Sequence, residues 1–284
     1  VPDPAPVTEP LSVRLRRIIG AWQPFTGHGV AAFAETRLTR VLALHLVAAL
    51  AVAALTVWAL RTTWFPVIHQ ALPRLPEAAD LRAGFLSWPE SQPLRLAQNP
   101  WLDLIVSPTP TTAATALGQT SDLQLELRPA SFRFNGPFGH FSRPYPRSLQ
   151  FDLGRIPATA AWSAWRLPIS VLTGVGMACC LMLSWWILAS VYSLPAWITA
   201  QILQRQSNLA ASWRMAAASL LVGALVAATG LAAYAVGMMR LPGLLVSQAL
   251  HVPIVWFWLL WGILCLPPKG RTPRNPGNPF RTRN

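Results

Sequence analysis

His45 and His251 are ionisable side chains inside long apolar runs. Such residues mark a functional position in a membrane-spanning segment. Two chemistries suit them: metal ligation, or handling of a proton or polar ligand. Metal ligation fails on depth. With the N-terminus on the inner side, His45 would lie about 6 Å from that face and His251 about 22 Å, at about 1.5 Å rise per residue. One ion with ligands at about 2 Å does not bridge a gap of about 16 Å. The same argument separates Cys265 from Cys179 and Cys180, so no metal site and no cofactor is expected. Gln248 precedes His251 by three residues and shares its helix face. Pro253 removes the hydrogen bond to the carbonyl of Ala249, which adds an acceptor nearby. Gln248 and His251 are therefore the candidate ligand-binding residues. The alternative is a neutral, hydrogen-bonded histidine that serves packing alone.

Ser142, His140 and Asp152 have the residue types of a hydrolase triad, but nothing around them forms a nucleophile elbow. The chain has no P-loop, HExxH, CxxC or dinucleotide fingerprint. No catalytic residue is assigned on these grounds. Trp88, Trp101 and Tyr145 have the chemistry to stack on a sugar or peptide, and equally the chemistry of core or membrane-contact aromatics. The three cysteines lie in apolar runs and read as small buried side chains.

The elements that must carry these residues are apolar helices. The last carboxylate is Asp152, and residues 153–284 contain no Asp or Glu. Hydrophobic residues make up 53% of the chain and charged residues only 12%, against about 25% charge in soluble domains. About 20 residues of helix cross a hydrocarbon core of about 30 Å. Four stretches satisfy this: 41–60, 168–192, 216–239 and 243–266. The first reads as an uncleaved anchor. Residues 61–163 hold Glu77, Asp80, Glu90, Asp103, Asp122, Glu126 and Asp152, and their apolar pattern has period two in SDLQLELR, SFRF, SLQFDLG and WLDLIV. Period two predicts strands. The expected fold class is an α-helical membrane protein with four transmembrane helices and a small β-rich extracytoplasmic domain inserted between spans 1 and 2. Residues 1–40 form a cytoplasmic flank in which 11–20 read either as a basic helix on an anionic membrane surface or as a solvated juxtamembrane segment. Residues 193–215, with Gln201, Gln204, Arg205, Gln206 and Arg214, read as a cytoplasmic interfacial loop in the form of an amphipathic helix between spans 2 and 3, and 267–284 as a disordered basic tail.

Charge orients this arrangement. Arg37 and Arg40, then Arg205 and Arg214, then Lys269, Arg271 and Arg274 fall on one side of a four-span path. The positive-inside rule makes that side cytoplasmic. Arginines in the long 61–163 segment run against this placement, but long segments count little in the rule. A lone lysine among many arginines, with abundant Ala, Leu and Pro, points to a bacterial genome rich in G and C. In span 3, Ala216, Gly223, Gly230 and Gly237 recur every seven residues. Seven residues are nearly two turns, so they form a helix-packing stripe along which another helix, or a second copy, can approach closely.

The segments LPEAADLRAGFLSWP (75–89) and NPWLDLIVSP (99–108) resemble the entry to the outer domain, and the strand after it, in a family of uncharacterised bacterial inner-membrane proteins, some linked to maltodextrin utilisation. The family often has an acid after that apolar run, where this chain has Ser107. The resemblance implies one span, an outer β domain and three spans, and brings no catalytic residue. The functional expectation is a non-enzymatic accessory, scaffold or sensor protein. The alternative is a subunit of a transport or lipid-handling complex with a polar site on span 4. Expected partners are the lipid bilayer, anionic lipids at the cytoplasmic face, and a protein partner or a homo-oligomer; nucleic acid is not expected. The net charge of +13 is spread over tails and loops rather than gathered in one patch.

Overall fold

The computed structural model describes residues 24–109, 118 and 120–269. The basic segment 11–20 and nearly all of the C-terminal tail lie outside the described residues. The chain begins with a short helix, α1 (Gly27–Ala32), capped by the Thr26 hydroxyl accepting from Gly29 N at 3.0 Å. A single 3-10 turn, Phe33–Glu35, follows. Helix α2 (Leu38–Thr63) has neither Gly nor Pro in its interior. Pro66 cannot donate back to the carbonyl four residues earlier, and the helix breaks at Trp64 before α3 (Phe65–Ala71). Eight strands come next: β1 (Asp80–Arg82), β2 (Phe85–Ser87), β3 (Leu94–Gln98), β4 (Leu102–Val106), β5 (Leu123–Leu127), β6 (Ser131–Gly136), β7 (Gly139–Pro144) and β8 (Phe151–Asp152). Three helices finish the chain: α4 (Arg155–Ile202), α5 (Leu209–Ala235) and α6 (Leu241–Cys265).

The expected fold class is corrected by this architecture. The structure is mixed, 61% helical, with one three-stranded sheet in the order β2-β1-β8 and one five-stranded sheet in the order β3-β4-β5-β6-β7. It is not an α-helical protein carrying one small β-rich insertion. The strands do fall between the first long helix and the second. The short ones escape a periodicity argument because two or three residues show no alternation. In β3 a register shift between Arg95 and Ala97 breaks the alternation. Pairing is antiparallel throughout except between β4 and β5, which are parallel.

Four helices are long and apolar enough to cross a membrane by length and composition: Leu38–Arg74, Arg155–Ile202, Leu209–Ala235 and Leu241–Cys265. The α4 helix runs on through residues 193–202, where polar side chains suggested an end. Its buried face explains why: Trp185, Ala189, Tyr192, Ala196 and Ala200 keep helical spacing straight through that stretch. Helix α5 begins before residue 216 as well. Asn208 caps it, its Oδ1 accepting from Ala211 N at 2.8 Å.

The chain divides into two compact units. The first comprises residues up to 49, 180–226 and from 250 onward. Its core is alanine-rich, with Val30, Phe33, Val41, Met215, Leu259 and Ile263 filling the space between small residues. Arg214 belongs to it, and its guanidinium donates to the carbonyl of Ala34, satisfying the end of the 3-10 turn. The second unit comprises residues 50–179 and 227–249. Its core joins Val67 and Ala71 of α3 to the apolar sheet residues Leu81, Leu86, Leu96, Leu102 and Val106. Each buried valine or leucine there contributes roughly 1.5–3 kcal/mol on burial.

Candidate functional site

Gln248 and His251 stay on one face of α6, but each is used locally. In the second unit, the Gln248 amide donates to the carbonyl of Ala227 at 3.0 Å. In the first unit, His251 lies beside Gly223: a Cβ added there would sit 3.5 Å from His251 Cδ2 and 2.5 Å from Val255 Cγ2. The small-residue stripe of α5 therefore faces α6 of the same chain. Ala216 is fully buried in the first unit. At Gly230, an added Cβ would collide with the Ser247 hydroxyl. Gly237 does something different. It lies just beyond α5 with φ of 81°. Met238 N donates to Ala233 O and Gly237 N to Tyr234 O, the pair of bonds that closes a helix on a left-handed residue.

His45 is fully buried among the alanines of the first unit. Its Nε2–H donates to the carbonyl of Ala217 at 2.8 Å, and its ring is tilted against Trp185 at 5.4 Å. The carbonyl has two lone pairs, so it can accept this bond and keep its helical one. This arrangement serves packing and predicts a specific mutational pattern. His45→Leu is expected to cost less than about 1 kcal/mol, because a carbonyl within a helix is not stranded by losing its second donor. His45→Ala is expected to cost about 2–4 kcal/mol through the cavity it opens. Equilibrium unfolding in mixed micelles distinguishes them. Equal losses in both variants would instead assign the imidazole an indispensable polar role.

The most concentrated polar chemistry lies in the second unit, at the α5–α6 turn. Asp122, which is 8% exposed, accepts from Leu241 N at 3.1 Å and from the Tyr234 hydroxyl. It thereby caps the first turn of α6 from a distant part of the chain. Arg240 approaches the same carboxylate at 4.0 Å and donates to Pro100 O at 2.9 Å. Trp101 Nε1–H donates to Tyr234 O at 2.9 Å. Asn99 holds this loop in shape, its Oδ1 accepting from Trp101 N and Leu102 N. Together these residues clamp the β3–β4 loop and the start of β5 to the turn between two apolar helices. The sequence offers no local signal for this, since the partners are far apart in the chain.

One face of the five-stranded sheet carries a second polar array. Asp103, Gln124 and Asn135 stand opposite one another in register on β4, β5 and β6. Arg95 donates to Asp103 Oδ1 at 3.1 Å, Gln124 to Asp103 Oδ2 at 3.1 Å, and Asn135 to Gln124 Oε1 at 2.9 Å. Glu126, buried on the same face, is paired with Arg128 at 2.9 Å. Arg95 and Arg128 each stand against one of these carboxylates, an arrangement suited to fixing strand register.

The remaining candidates are dispersed. Ser142 on β7 donates to Phe132 O at 3.3 Å. Asp152 belongs to the other sheet and accepts from Gly154 N at 2.9 Å. No hydrogen bond joins them to His140 among the described residues. Trp88 and Tyr145 pack in the core of the second unit, where burial pushes the Tyr145 hydroxyl up to about 12 and keeps it protonated. Cys179 and Cys180 are exposed and all three cysteines are free. Among the described residues, no group of three or more His, Cys, Asp or Glu could hold a metal ion. No protein-family model, curated protein or solved structure matches the chain.

Proposed function

We propose that this is an integral protein of a bacterial inner membrane that works without catalysis, as an accessory, scaffold or sensor for a partner. In this reading the four apolar helices cross the bilayer and both termini are cytoplasmic. The strand-bearing residues 80–152 face the other side. The charge pattern supports the orientation, with Arg37, Arg40, Arg205, Arg214 and Lys269 near one set of helix ends. Anionic lipids of the cytoplasmic leaflet would meet those same residues.

The observation that carries the reading is the clamp of Asp122, Trp101 and Arg240 on the α5–α6 turn. A sheet tied to a helical hairpin by polar contacts can pass a binding event on the strands to the turn. The surface best placed to receive a protein partner is β7. It is an edge strand, its six residues are all exposed, and Phe138 beside it is 73% exposed. A second copy of the chain is the other candidate occupant. The alternative, a transport or lipid-handling subunit with a polar site on α6, draws less support, because the Gln248 amide is already engaged with Ala227.

Two experiments test this. A photo-crosslinking residue at Phe141 should capture a defined protein in native membranes, identified by mass spectrometry. Only lipid adducts at that position would move the reading to lipid handling. In a background lacking the three native cysteines, Thr120→Cys should react with an impermeant maleimide in intact cells. Asn275→Cys should react only after permeabilisation. The reverse pattern would overturn the topology.

A further inference from the structure

A cavity of about 360 Å³ in the second unit is lined by Arg61, Phe65, Pro66, His69, Arg166, Leu167 and Ser170. Its size lies at the low end of small-ligand pockets, about 300–1,000 Å³. Arg61 is in the last turn of α2, and Arg166 is on α4. Both are exposed, and neither is paired with any group among the described residues. No carboxylate lines the cavity. His69 Nε2 accepts from Trp162 Nε1–H at 3.2 Å. That bond leaves Nδ1 as the ring's donor position. Two arginines and a histidine therefore line one space with no carboxylate among its lining residues.

The surroundings are apolar. The Trp162 ring packs edge-on against Phe65 at 4.8 Å. Trp162 itself lines a separate groove of about 350 Å³ with Ile68, Leu72, Leu104, Trp165 and Ile169. Trp165 and Leu167 are 58% and 67% exposed. Tryptophans and arginines at the ends of apolar helices are the residues that meet lipid headgroups. An unpaired arginine there is stabilised by a lipid phosphate, which a guanidinium grips with two parallel hydrogen bonds.

We infer that this cavity binds the phosphate of an anionic phospholipid through Arg61, Arg166 and His69, with an acyl chain lying in the apolar groove across Trp162. The inference rests on the membrane placement proposed above, and it puts a lipid site at the helix ends opposite the cytoplasmic flank. The groove distinguishes a lipid from a free phosphate ion, which would use the cationic cavity alone.

The test uses the full-length protein in nanodiscs of phosphatidylcholine, titrated with phosphatidylglycerol and read by tryptophan fluorescence. A saturable change is expected for the wild type. It should weaken about ten-fold or more in the R61Q/R166Q variant, with partial recovery in R61K/R166K, which restores charge without the two-pronged geometry. Arg147→Gln, an exposed arginine elsewhere in the unit, should bind as the wild type does. Equal affinity of R61Q/R166Q and the wild type would overturn the site. An equal response to inorganic phosphate would overturn the lipid assignment. Alkaline carbonate extraction of both proteins separates this from the membrane reading: a chain released to the supernatant sinks the placement, whereas a chain kept in the pellet with unchanged lipid affinity sinks the site alone.

Discussion

Leucine in place of Gly223 is expected to destabilise the protein by about 3 kcal/mol or more. The reason is geometric. A single added Cβ already falls 2.5 Å from Val255 Cγ2, and Val255 is fully buried. A valine methyl held by its neighbours cannot step aside, so α5 and α6 must separate. Even Gly223→Ala should cost about 1–2 kcal/mol. Gly230→Ala should be milder at the same spacing, because the nearest atom there is the Ser247 hydroxyl, which can rotate away from its bond to Leu244 O. Even so, Ser247 Cβ lies 2.9 Å from the added Cβ in either variant, and Gly230→Leu should be the more disruptive because its further carbons have the same close helix contact to enter. Unfolding titrations in mixed micelles would rank the four variants. Trimming the obstacle with Val255→Ala should restore part of the loss in Gly223→Ala. No restoration would mean that the damage at Gly223 comes from elsewhere.

The second large effect is expected at Asp122. Asp122→Ala should cost about 3 kcal/mol, because it strips the acceptor from the first turn of α6 and from the Tyr234 hydroxyl together. It also removes the carboxylate near Arg240. Asp122→Asn keeps one acceptor and should cost about 1–2 kcal/mol. The change should be local. Hydrogen–deuterium exchange should rise in residues 99–103 and 121–127, while the region around His45 stays protected. Exchange unchanged in the β3–β4 loop would show that the clamp is not what holds the strands to the helical turn.

Much of the architecture is legible in the residue pattern, and the misses have physical causes. Runs such as LQLEL in β5 alternate cleanly and declare themselves as strands. The DLR and FLS segments of β1 and β2 carry too few residues to declare anything, so the division into two sheets is invisible. Polar residues near 201–206 suggested an early end to the second long helix. The deciding information is the stripe from Trp185 to Ala200, which depends on what packs against it. The seven-residue recurrence of Ala216, Gly223, Gly230 and Gly237 is plain in the sequence. It conceals two uses, close helix contact at Gly223 and Gly230 and a left-handed stop at Gly237. Asp122 carried no signal at all, because its partners lie more than a hundred residues away.

The tight turn closed by Gly237 also has a consequence for the membrane insertion proposed above. Arg240 is the sole charged residue between α5 and α6. In the proposed topology this guanidinium must be carried outward against an inside-negative potential, at about 2.3 kcal/mol per 100 mV for a full charge. In that topology Asp122, synthesised earlier, would already be outside and would give the arriving arginine a fixed counter-charge. Insertion of the last hairpin would then be an electrical step whose destination is prepared before it begins.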